Sequence, residues 1–280
     1  MRRLPELWGV LNVTPDSFSD GGRYFDVAAA CARVRELVAL GADVIDVGGE
    51  STRPPGTTYG EGYADVDVQE ELRRVLPAIE AAVADGARVS IDTTKLEVAR
   101  HALDAGASIV NFVGERASDE LLALVAEEGA TIVLMHNVGR GQVVSVEASP
   151  AEMAREVEAS LLREAQRAEG FGIPGEHIYL DPGIGFAKTA VQSAGLLGSL
   201  RSLVRTGYPI LVGASRKSFI GELAREPNGA RPAPSERLGG SIAAAIAAAR
   251  AGARAVRVHD VRETRQALLV WAKITEGEGE

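Results

Sequence analysis

The sequence has little of several features that would mark particular classes of protein. Its 280 residues contain a single cysteine, Cys31, so an intrachain disulfide is excluded and a reducing compartment is favoured. No uncharged apolar run approaches the roughly 20 residues that a membrane-spanning helix needs. The basic residues 1–6 are followed by no long apolar region, which is untypical of a signal peptide. We therefore expect a cytoplasmic protein.

Basic residues are fewer than acidic ones, and common ligand-binding motifs are absent from the sequence. The chain carries 30 Lys and Arg against 39 Asp and Glu, a net charge of −9, which argues against a nucleic-acid partner but allows a locally basic anion pocket. No P-loop is present, and the glycines of residues 181–186 do not follow the dinucleotide fingerprint. No cluster of His, Cys and Glu has the spacing of metal ligands, so we expect any metal to be Mg2+ held partly by substrate oxygens.

What the sequence does have is a strict alternation of short apolar strands and helices. Eight such units follow one another with no linker and no shift in composition. We predict strands at residues 7–11, 44–47, 89–92, 109–111, 131–135, 178–180, 210–212 and 255–258. Apolar strands that alternate with helices indicate a parallel sheet covered by helices. We therefore predict an α/β protein with one domain, residues 1–280, as a closed (β/α)8 TIM barrel in preference to an open doubly wound sheet.

Two other segments carry specific expectations. Cys31 falls among the alanines of a helix predicted at residues 26–40, where we expect a small buried side chain. The Pro- and Gly-rich residues 225–234 are typical of an insertion after strand seven, and a helix is predicted from residue 235 to 251.

Polar residues stand at the end of nearly every predicted strand. In a barrel, the active face holds the carboxyl ends of the strands and the loops after them. Any one of these residues could simply cap a helix, but their concentration at one face indicates a site. They are Asn12, Asp46, Asp92, Asn111, His136, Asp181, Ser215, Arg216, Lys217, Arg257 and His259.

These residues represent two kinds of ligand chemistry. Carboxylates, an amide and one cation suit a flat heterocycle, since a carboxylate binds an amino-amidine edge through two parallel hydrogen bonds. This set comprises Asp92, Asn111, Asp181 and Lys217. The other set indicates an anion or metal-anion site near the end of strand eight, where barrels often bind phosphate. It comprises Asn12, Arg257 and His259.

Six segments, in order from strand one to strand eight, resemble the motifs of dihydropteroate synthase, a family of pterin-binding TIM barrels. Two of them are long polar loops after the first and second strands, which the resemblance identifies as loops that close over the substrates. The segments are residues 12–22, 46–54, 90–93, 180–186, 215–219 and 257–261.

The resemblance implies a transferase of folate biosynthesis, a homodimer and a sulfonamide target. Such an enzyme joins (7,8-dihydropterin-6-yl)methyl diphosphate to p-aminobenzoate, with Mg2+, and gives 7,8-dihydropteroate and diphosphate. The implied mechanism is loss of diphosphate to leave a pterin cation, which the aniline nitrogen then attacks. The expected partners are therefore small-molecule substrates, with no nucleic acid and no membrane.

The resemblance also implies roles for individual residues. The residues implied to hold the pterin are Asp92, Asn111, Met135, Asp181 and Lys217. Those implied to hold the diphosphate are Asn12, which would act through the metal, Arg257 and His259. Those implied to shape the p-aminobenzoate site are Phe18, Thr52, Arg53, Pro54, Phe186 and Ser218. The implied catalytic residues are Asp16 and Asp20 on the first loop, together with Lys217, Arg257 and His259.

The chain departs from the family pattern at three places. Phe112 follows Asn111 where the family normally has Asp, so an acidic neighbour is expected to be missing from the pterin side. The second loop is lengthened at residues 55–63, beside the expected aminobenzoate site, and Val138 stands where the family often has Arg. These departures bear on substrate choice and sulfonamide sensitivity more than on the fold.

Two other functions remain open at this point. One is a methyltransferase barrel that uses the same carboxylate pocket for methyl-tetrahydrofolate, although it needs neither the diphosphate residues nor the second-loop motif. The other is a paralogue that binds a pterin with weak or different activity, which Phe112 would favour.

Overall fold

The computed structural model describes residues 4–13, 27–50, 66–138 and 147–276. Its strands are β1 (Glu6–Asn12), β2 (Val44–Gly48), β3 (Arg88–Asp92), β4 (Ile109–Phe112), β5 (Thr131–Met135), β6 (Ile178–Asp181), β7 (Leu211–Gly213) and β8 (Ala255–Val258). Within these ranges, no helix combines the length and the apolar content of a membrane span.

All eight strands run parallel in one sheet, in the order β6-β5-β4-β3-β2-β1-β8-β7. The two outermost strands of this order, β6 and β7, meet through a bridge between Leu180 and Ile210. The N–H of Leu180 also donates to the carbonyl of Pro209 at 2.9 Å. The sheet therefore curls into a barrel, and the predicted (β/α)8 fold is confirmed.

Helices alternate with the strands along the chain. The described ranges contain α1 (Val27–Ala39), α2 (Val68–Ala84), α3 (Leu96–Asp104), α4 (Asp119–Glu127), α5 (Pro150–Gly170), α6 (Ala190–Val204), α7 (Ser218–Leu223), α8 (Leu238–Ala251) and α9 (Val261–Glu276). Side chains cap several of their N-termini: Ser149 and Thr189 begin α5 and α6 with capping boxes, and Asp67 caps α2.

Two layers of side chains fill the barrel, because alternate residues of each strand face its interior. The lower layer is an apolar cluster of Trp8, Val44, Ile109, Val133, Tyr179, Leu211 and Ala255. Two residues further along the same strands lie Val10, Asp46, Asn111, Met135, Asp181, Gly213 and Arg257. The interior thus changes from apolar to polar toward the carboxyl ends of the strands, where the sequence predicts the site.

Several details differ from the sequence predictions. Helix α8 begins at Leu238 instead of residue 235, because Arg237 leaves helical geometry with φ −91° and ψ 16° after a short 3-10 turn at Pro234–Glu236. Strand β7 begins at Leu211, one residue late. Helix α7 was not predicted, so residues 225–234 follow a helix and not strand seven directly. Cys31 is only half-buried, with its Sγ 3.8 Å from the carbonyl of Pro77.

The lower layer should carry much of the stability of the barrel. Trp8 is fully buried, and its ring centroid lies 5.5 Å from that of Tyr179. We expect Trp8→Ala to lower the free energy of unfolding by about 3–5 kcal/mol, because it leaves a cavity that rigid strands cannot fill. Urea unfolding measures this loss. Val191→Ala on α6, where Val191 is 62% exposed, is the control and should change the midpoint little; an equal effect of both variants would contradict this role of the lower layer.

Candidate active site

The polar upper layer collects charged groups from strands that are far apart in the sequence. Asp46 on β2, Asp92 on β3 and Asp181 on β6 are 0%, 7% and 5% exposed, and Asn111 on β4 is 3% exposed. Buried carboxylates are rare unless cations or hydrogen-bond donors compensate them. The arrangement of Arg257 and Lys217 among them therefore determines the chemistry of the site.

Arg257 joins two of the carboxylates. Its Nε donates to Asp46 Oδ2, and its Nη2 donates to Asp92 Oδ2 at 2.7 Å. Burial opposes the charge of Arg257, but the two carboxylates raise the pKa of its guanidinium above the ordinary value. Asn111 adds contacts of 3.3 and 3.4 Å from Nδ2 to the two oxygens of Asp46. Asp46 is thus fully engaged by the protein, whereas Asp92 is held at one oxygen.

Asp92 keeps an oxygen available for a ligand. Its Oδ1 is buried and has no hydrogen-bond partner among the described residues. Burial raises the pKa of Asp92 to about 7, with repulsion from Asp46 and Glu71 adding to the rise and Arg257 opposing it. A buried carboxylate oxygen without a donor is costly, and a ligand that brings an N–H group there would remove that cost.

Asp181 and Lys217 form the other side of the pocket. The N–H of Gly183 donates to Asp181 Oδ1 at 2.7 Å, while burial raises the pKa of Asp181. Lys217 Nζ donates to the carbonyl of Ile184 at 2.5 Å and lies 4.3 Å from the ring centroid of Phe186. Burial lowers the pKa of Lys217 to about 8, although Asp181 favours its charged form.

The anion set lies at the ends of β1 and β8. His259 contacts Ser215 through its backbone N–H, at 3.2 Å from Oγ, and through Nδ1, at 3.1 Å. Gly48 leaves room beside Asn12: a Cβ at residue 48 would lie 3.8 Å from Asn12 Oδ1 and 3.5 Å from the Cβ of Asp92. Arg257 of the anion set contacts Asp92 of the heterocycle set, so the two sets predicted from the sequence adjoin each other.

The described residues contain no group of three or more His, Cys, Asp and Glu arranged to hold a metal ion. The amide oxygen of Asn12, at the end of β1, is a hard oxygen donor of the kind that Mg2+ accepts. A magnesium ion accepts one or two protein oxygens when waters and phosphate oxygens complete its octahedron. The donor set fits a cation that arrives with an anionic substrate, and a divalent metal is consistent with the family identified below.

The structure brings together most, but not all, of the predicted site residues. The barrel interior is lined by Asp92, Asn111, Met135, Asp181 and Arg257, on β3, β4, β5, β6 and β8. Ser218 is exposed at the N-terminus of α7, beside Lys217. Six predicted residues lie outside the described ranges: Asp16, Phe18, Asp20, Thr52, Arg53 and Pro54. The same holds for the lengthened part of the second loop.

Phe112 does not face the pocket. Its side chain packs in the main core outside the barrel, and a Cβ at Gly114 would lie 2.4 Å from its Cζ. Adjacent residues of a strand point to opposite faces, so Asn111 faces the interior and residue 112 faces the helices. The expectation that Phe112 removes an acidic group from the pterin side was wrong. Val138 also packs, half-buried, against that outer core.

Sequence reasoning assigned no role to three residues that the site depends on. From the sequence, Asp46 was identified only as a polar residue at a strand end. A carboxylate within an otherwise apolar strand could have indicated a functional group, and the strand is wholly buried. Burial, and then the charge of Lys188, lower the pKa of His136 to about 4, so its imidazole is neutral near pH 7. Lys188 Nζ lies 3.0 Å from His136 Nδ1 and donates to the carbonyls of Gly183 and Phe186, both at 3.0 Å. Nothing in the local sequence around Lys188 predicts these contacts.

The fold and the site together define a TIM barrel whose interior presents carboxylates, an amide and cations, a set that suits a flat, N–H-rich heterocycle next to an anion. The family model described as pterin binding enzyme matches residues 8–259. A dihydropteroate synthase of Mycobacterium leprae is 45% identical over 269 residues, which cover 94% of this chain and 90% of that protein. The chain belongs to the dihydropteroate synthase family, whose members are transferases of folate biosynthesis.

Solved structures of the same family share the fold. Xanthomonas albilineans dihydropteroate synthase with 4-aminobenzoic acid has a TM-score of 0.85 and 42% identity, over 97% of this chain and 93% of that one. The enzyme from the same organism in complex with 7,8-dihydropteroate has a TM-score of 0.82 and 39% identity, over 98% and 95% of the two chains.

Arg257 should stabilise the barrel as well as the site. We expect Arg257→Met to lower the free energy of unfolding near neutral pH by about 3–5 kcal/mol, since it leaves the carboxylate of Asp46 buried without a cation. Adding Asp46→Asn should recover part of that loss, because the uncompensated charge is then gone. Urea unfolding of the three proteins measures both effects.

Arg254→Met is the matched control at the other end of β8. Arg254 pairs at 2.9 Å with Glu6, but its side chain is 32% exposed. A partly exposed pair contributes about 0–1 kcal/mol, so this variant should unfold almost as the wild type does. If Arg257→Met were no more destabilising than Arg254→Met, the central role of Arg257 would be wrong.

Proposed function

We propose that this chain condenses (7,8-dihydropterin-6-yl)methyl diphosphate with p-aminobenzoate to give 7,8-dihydropteroate and diphosphate. The observation that carries the proposal is the buried Asp92 Oδ1, which lacks a donor among the described residues and lies in an interior pocket with Asn111, Asp181 and Lys217. The relatives with bound 4-aminobenzoic acid and 7,8-dihydropteroate support the same substrates.

In this proposal, the pterin ring enters the polar upper layer of the barrel. Its amino-amidine edge donates to carboxylates of Asp92 and Asp181, and Lys217 donates to its carbonyl. Asn111 supplies an amide, and Met135 packs against the ring from β5. The ring thereby brings donors to the carboxylate oxygen that lacks one, so binding removes a desolvation cost that the free enzyme carries.

Arg257 changes partner as the substrate binds. In the free protein, its Nη2 is bonded to Asp92 at 2.7 Å. We propose that the pterin replaces this bond and that Arg257, still held by Asp46, turns its Nη2 to the diphosphate together with His259. The C–O bond to the exocyclic carbon then breaks, and its electron pair leaves with the diphosphate. The lone pair of the aniline nitrogen attacks the resulting cation and forms the new C–N bond, and the nitrogen then releases one proton to water.

Charged residues of the chain would stabilise the charges that develop on the two sides of that bond as it breaks. Asp92 and Asp181 favour positive charge on the pterin, while Arg257 and His259 favour negative charge on the leaving group. We propose Mg2+ as the metal, with Asn12 as its protein ligand; when bound, it neutralises charge on the diphosphate. A weak aniline nucleophile then needs no strong base, because the reacting carbon is already cationic.

The p-aminobenzoate would bind above the pterin, against Phe186 and Ser218. Thr52, Arg53, Pro54 and Phe18 are proposed to complete its site, and Asp16 and Asp20 to close the first loop over both substrates. Closure would exclude water, which otherwise captures the cation.

We also propose that residues 1–280 form one domain and act as a cytoplasmic homodimer. The single cysteine is consistent with a reducing compartment. The exposed apolar residues Leu269, Val270 and Ile274 on α9, 43%, 55% and 61% exposed, support an interface between copies. The alanine-rich α8 supports it less, because Ala244, Ala245 and Ala248 are buried within the chain. Sedimentation velocity would determine the mass in solution.

Release of diphosphate tests the reaction directly. With the pterin diphosphate, p-aminobenzoate and Mg2+, purified protein should release diphosphate only when p-aminobenzoate is present. Lys217→Ala and Asp92→Ala should each reduce kcat/KM by roughly 100-fold or more, the scale for losing one preorganised charged group. Lys273→Ala on α9, with a 73% exposed side chain, should leave the rate unchanged.

The same assay separates the alternative functions. Absence of p-aminobenzoate-dependent release at high protein concentration would contradict the proposal. Tight binding of the pterin without turnover would instead indicate a pterin-binding paralogue. Methyl transfer from methyl-tetrahydrofolate with no release of diphosphate would indicate the methyltransferase function.

The pH dependence of kcat/KM for the pterin should be bell-shaped, because this parameter reports ionisations of the free enzyme. Asp92 must be ionised to accept the pterin N–H groups, so with a pKa of about 7 it gives a limb that rises through pH 7. Lys217 must be charged, so with a pKa of about 8 it gives a limb that falls through pH 8.

Lys217→Arg tests the assignment of the alkaline limb. A guanidinium stays protonated, so the fall near pH 8 should disappear or move upward even if the maximal rate is lower. An unchanged alkaline limb in this variant, or a flat profile in the wild type from about pH 6 to 9, would contradict the proposed roles of these two groups.

A further inference from the structure

The residue before Lys217 has an unusual backbone conformation. Among the described residues other than glycine, only Ala187 and Arg216 have positive φ, 51° and 58°. Arg216 is the third residue of a four-residue turn that the N–H of Lys217 closes on the carbonyl of Ala214 at 3.4 Å. Side chains with a Cβ disfavour this left-handed region, so surrounding contacts must supply the free energy that holds Arg216 there.

Helix α8 and the residue before it supply those contacts to both backbone groups of Arg216. The N–H of Arg216 donates to Ser241 Oγ at 2.9 Å. The carbonyl of Arg216 accepts from Arg237 Nη1 at 2.9 Å. Ser241 in turn donates to the carbonyl of Arg237 at 2.8 Å, which joins the two residues. We name Arg237 and Ser241 the Arg216 clamp.

The clamp is buried and closely packed. Arg237 is 2% exposed and Ser241 is 5% exposed. Arg237 Nε donates to the carbonyl of Pro232 at 3.0 Å. A Cβ at Gly221 of α7 would lie only 2.9 Å from Arg237 Nε, so this helix lies directly against the guanidinium. A buried guanidinium that bonds backbone carbonyls is a rigid anchor, because its donors lie in one plane.

The conformation of Arg216 sets the positions of two site groups. On one side, Ser215 Oγ contacts His259 at 3.1 Å from Nδ1. On the other, Lys217 extends to the carbonyl of Ile184 at 2.5 Å. The Arg216 side chain itself pairs with Asp260, which follows His259 in the chain. A change of φ at residue 216 would therefore redirect Lys217 and Ser215 together.

We propose that Arg237 and Ser241 are positioning residues, which hold Arg216 in the left-handed conformation and thereby direct Lys217 into the pocket and Ser215 toward His259. The proposal rests on the pterin-binding role of Lys217 proposed above.

Ser241→Ala tests the clamp with a small change. It leaves the N–H of Arg216 buried without an acceptor, and it should weaken binding of the pterin diphosphate about tenfold in calorimetry without p-aminobenzoate. Ser199→Ala on α6 is the matched control, because Ser199 also donates to the carbonyl four residues back, at 3.0 Å, and its hydroxyl contacts carbonyls of its own helix. It should bind as the wild type does. Both variants should melt within a few degrees of each other.

Arg216→Gly provides the decisive comparison, since glycine takes positive φ without strain. In the Arg216→Gly background, Ser241→Ala should cost less than about threefold in pterin affinity, compared with about tenfold in the wild type. Arg237→Lys, which keeps a cation but loses the planar donors, should show the same dependence on residue 216. Asp260→Asn measures separately the effect of losing the Arg216 side-chain pair.

Two results would overturn the inference. One is a Ser241→Ala variant that binds the pterin as Ser199→Ala does. The other is a cost of Ser241→Ala that is equal in the wild-type and Arg216→Gly backgrounds, which would mean that the hydroxyl has only a general structural role. Lys217→Ala distinguishes this failure from failure of the proposed function: if it also binds the pterin normally, then the role of Lys217 itself is wrong.

Discussion

The structure depends on one charge balance, that of Arg257 between Asp46 and Asp92. Asp46 is fully buried inside the barrel, where an uncompensated carboxylate would be severely destabilising. A buried ion pair gains little net stability relative to apolar packing, so its presence is better explained by function than by folding. The apolar layer around Trp8 lies directly beneath it and keeps the strands at the spacing that places the guanidinium between its two partners.

The charges in the barrel interior are not fully compensated. Three interior carboxylates face two cations, and one oxygen of Asp92 has no donor among the described residues. In the free enzyme, the buried oxygen of Asp92 is therefore unfavourable, and it lies at the position where a pterin would bring N–H groups. In the proposed mechanism, Arg257 leaves Asp92 without leaving Asp46, so that one residue serves both the stability of the empty barrel and the charge of a leaving diphosphate. Lys217 lies on the other side of the pocket, and Arg237 and Ser241 contact the backbone of Arg216, the residue before it.

The sequence predicted the features that arise from regular periodicity. Short apolar strands, their parallel order and the convergence of Asp92, Asn111 and Asp181 all result from alternation within strands and from the barrel closing. What it could not predict depends on contacts between distant segments: Arg257 and its carboxylates are 211 and 165 positions apart. The positive φ of Arg216 was equally hidden, because the side chain there gives no sign of a left-handed turn. The role expected for Phe112 was wrong because a family motif does not show which face of β4 a residue occupies.

A crystal structure of this chain with the dihydropterin diphosphate bound would test the exchange of partners at Arg257 most directly. Both oxygens of Asp92 should then accept N–H groups of the pterin, and Arg257 should remain on Asp46 while its Nη2 contacts the diphosphate. If the pair between Arg257 and Asp92 stays intact at 2.7 Å and the pterin ring lies outside the barrel interior, the proposed role of this charge balance is wrong.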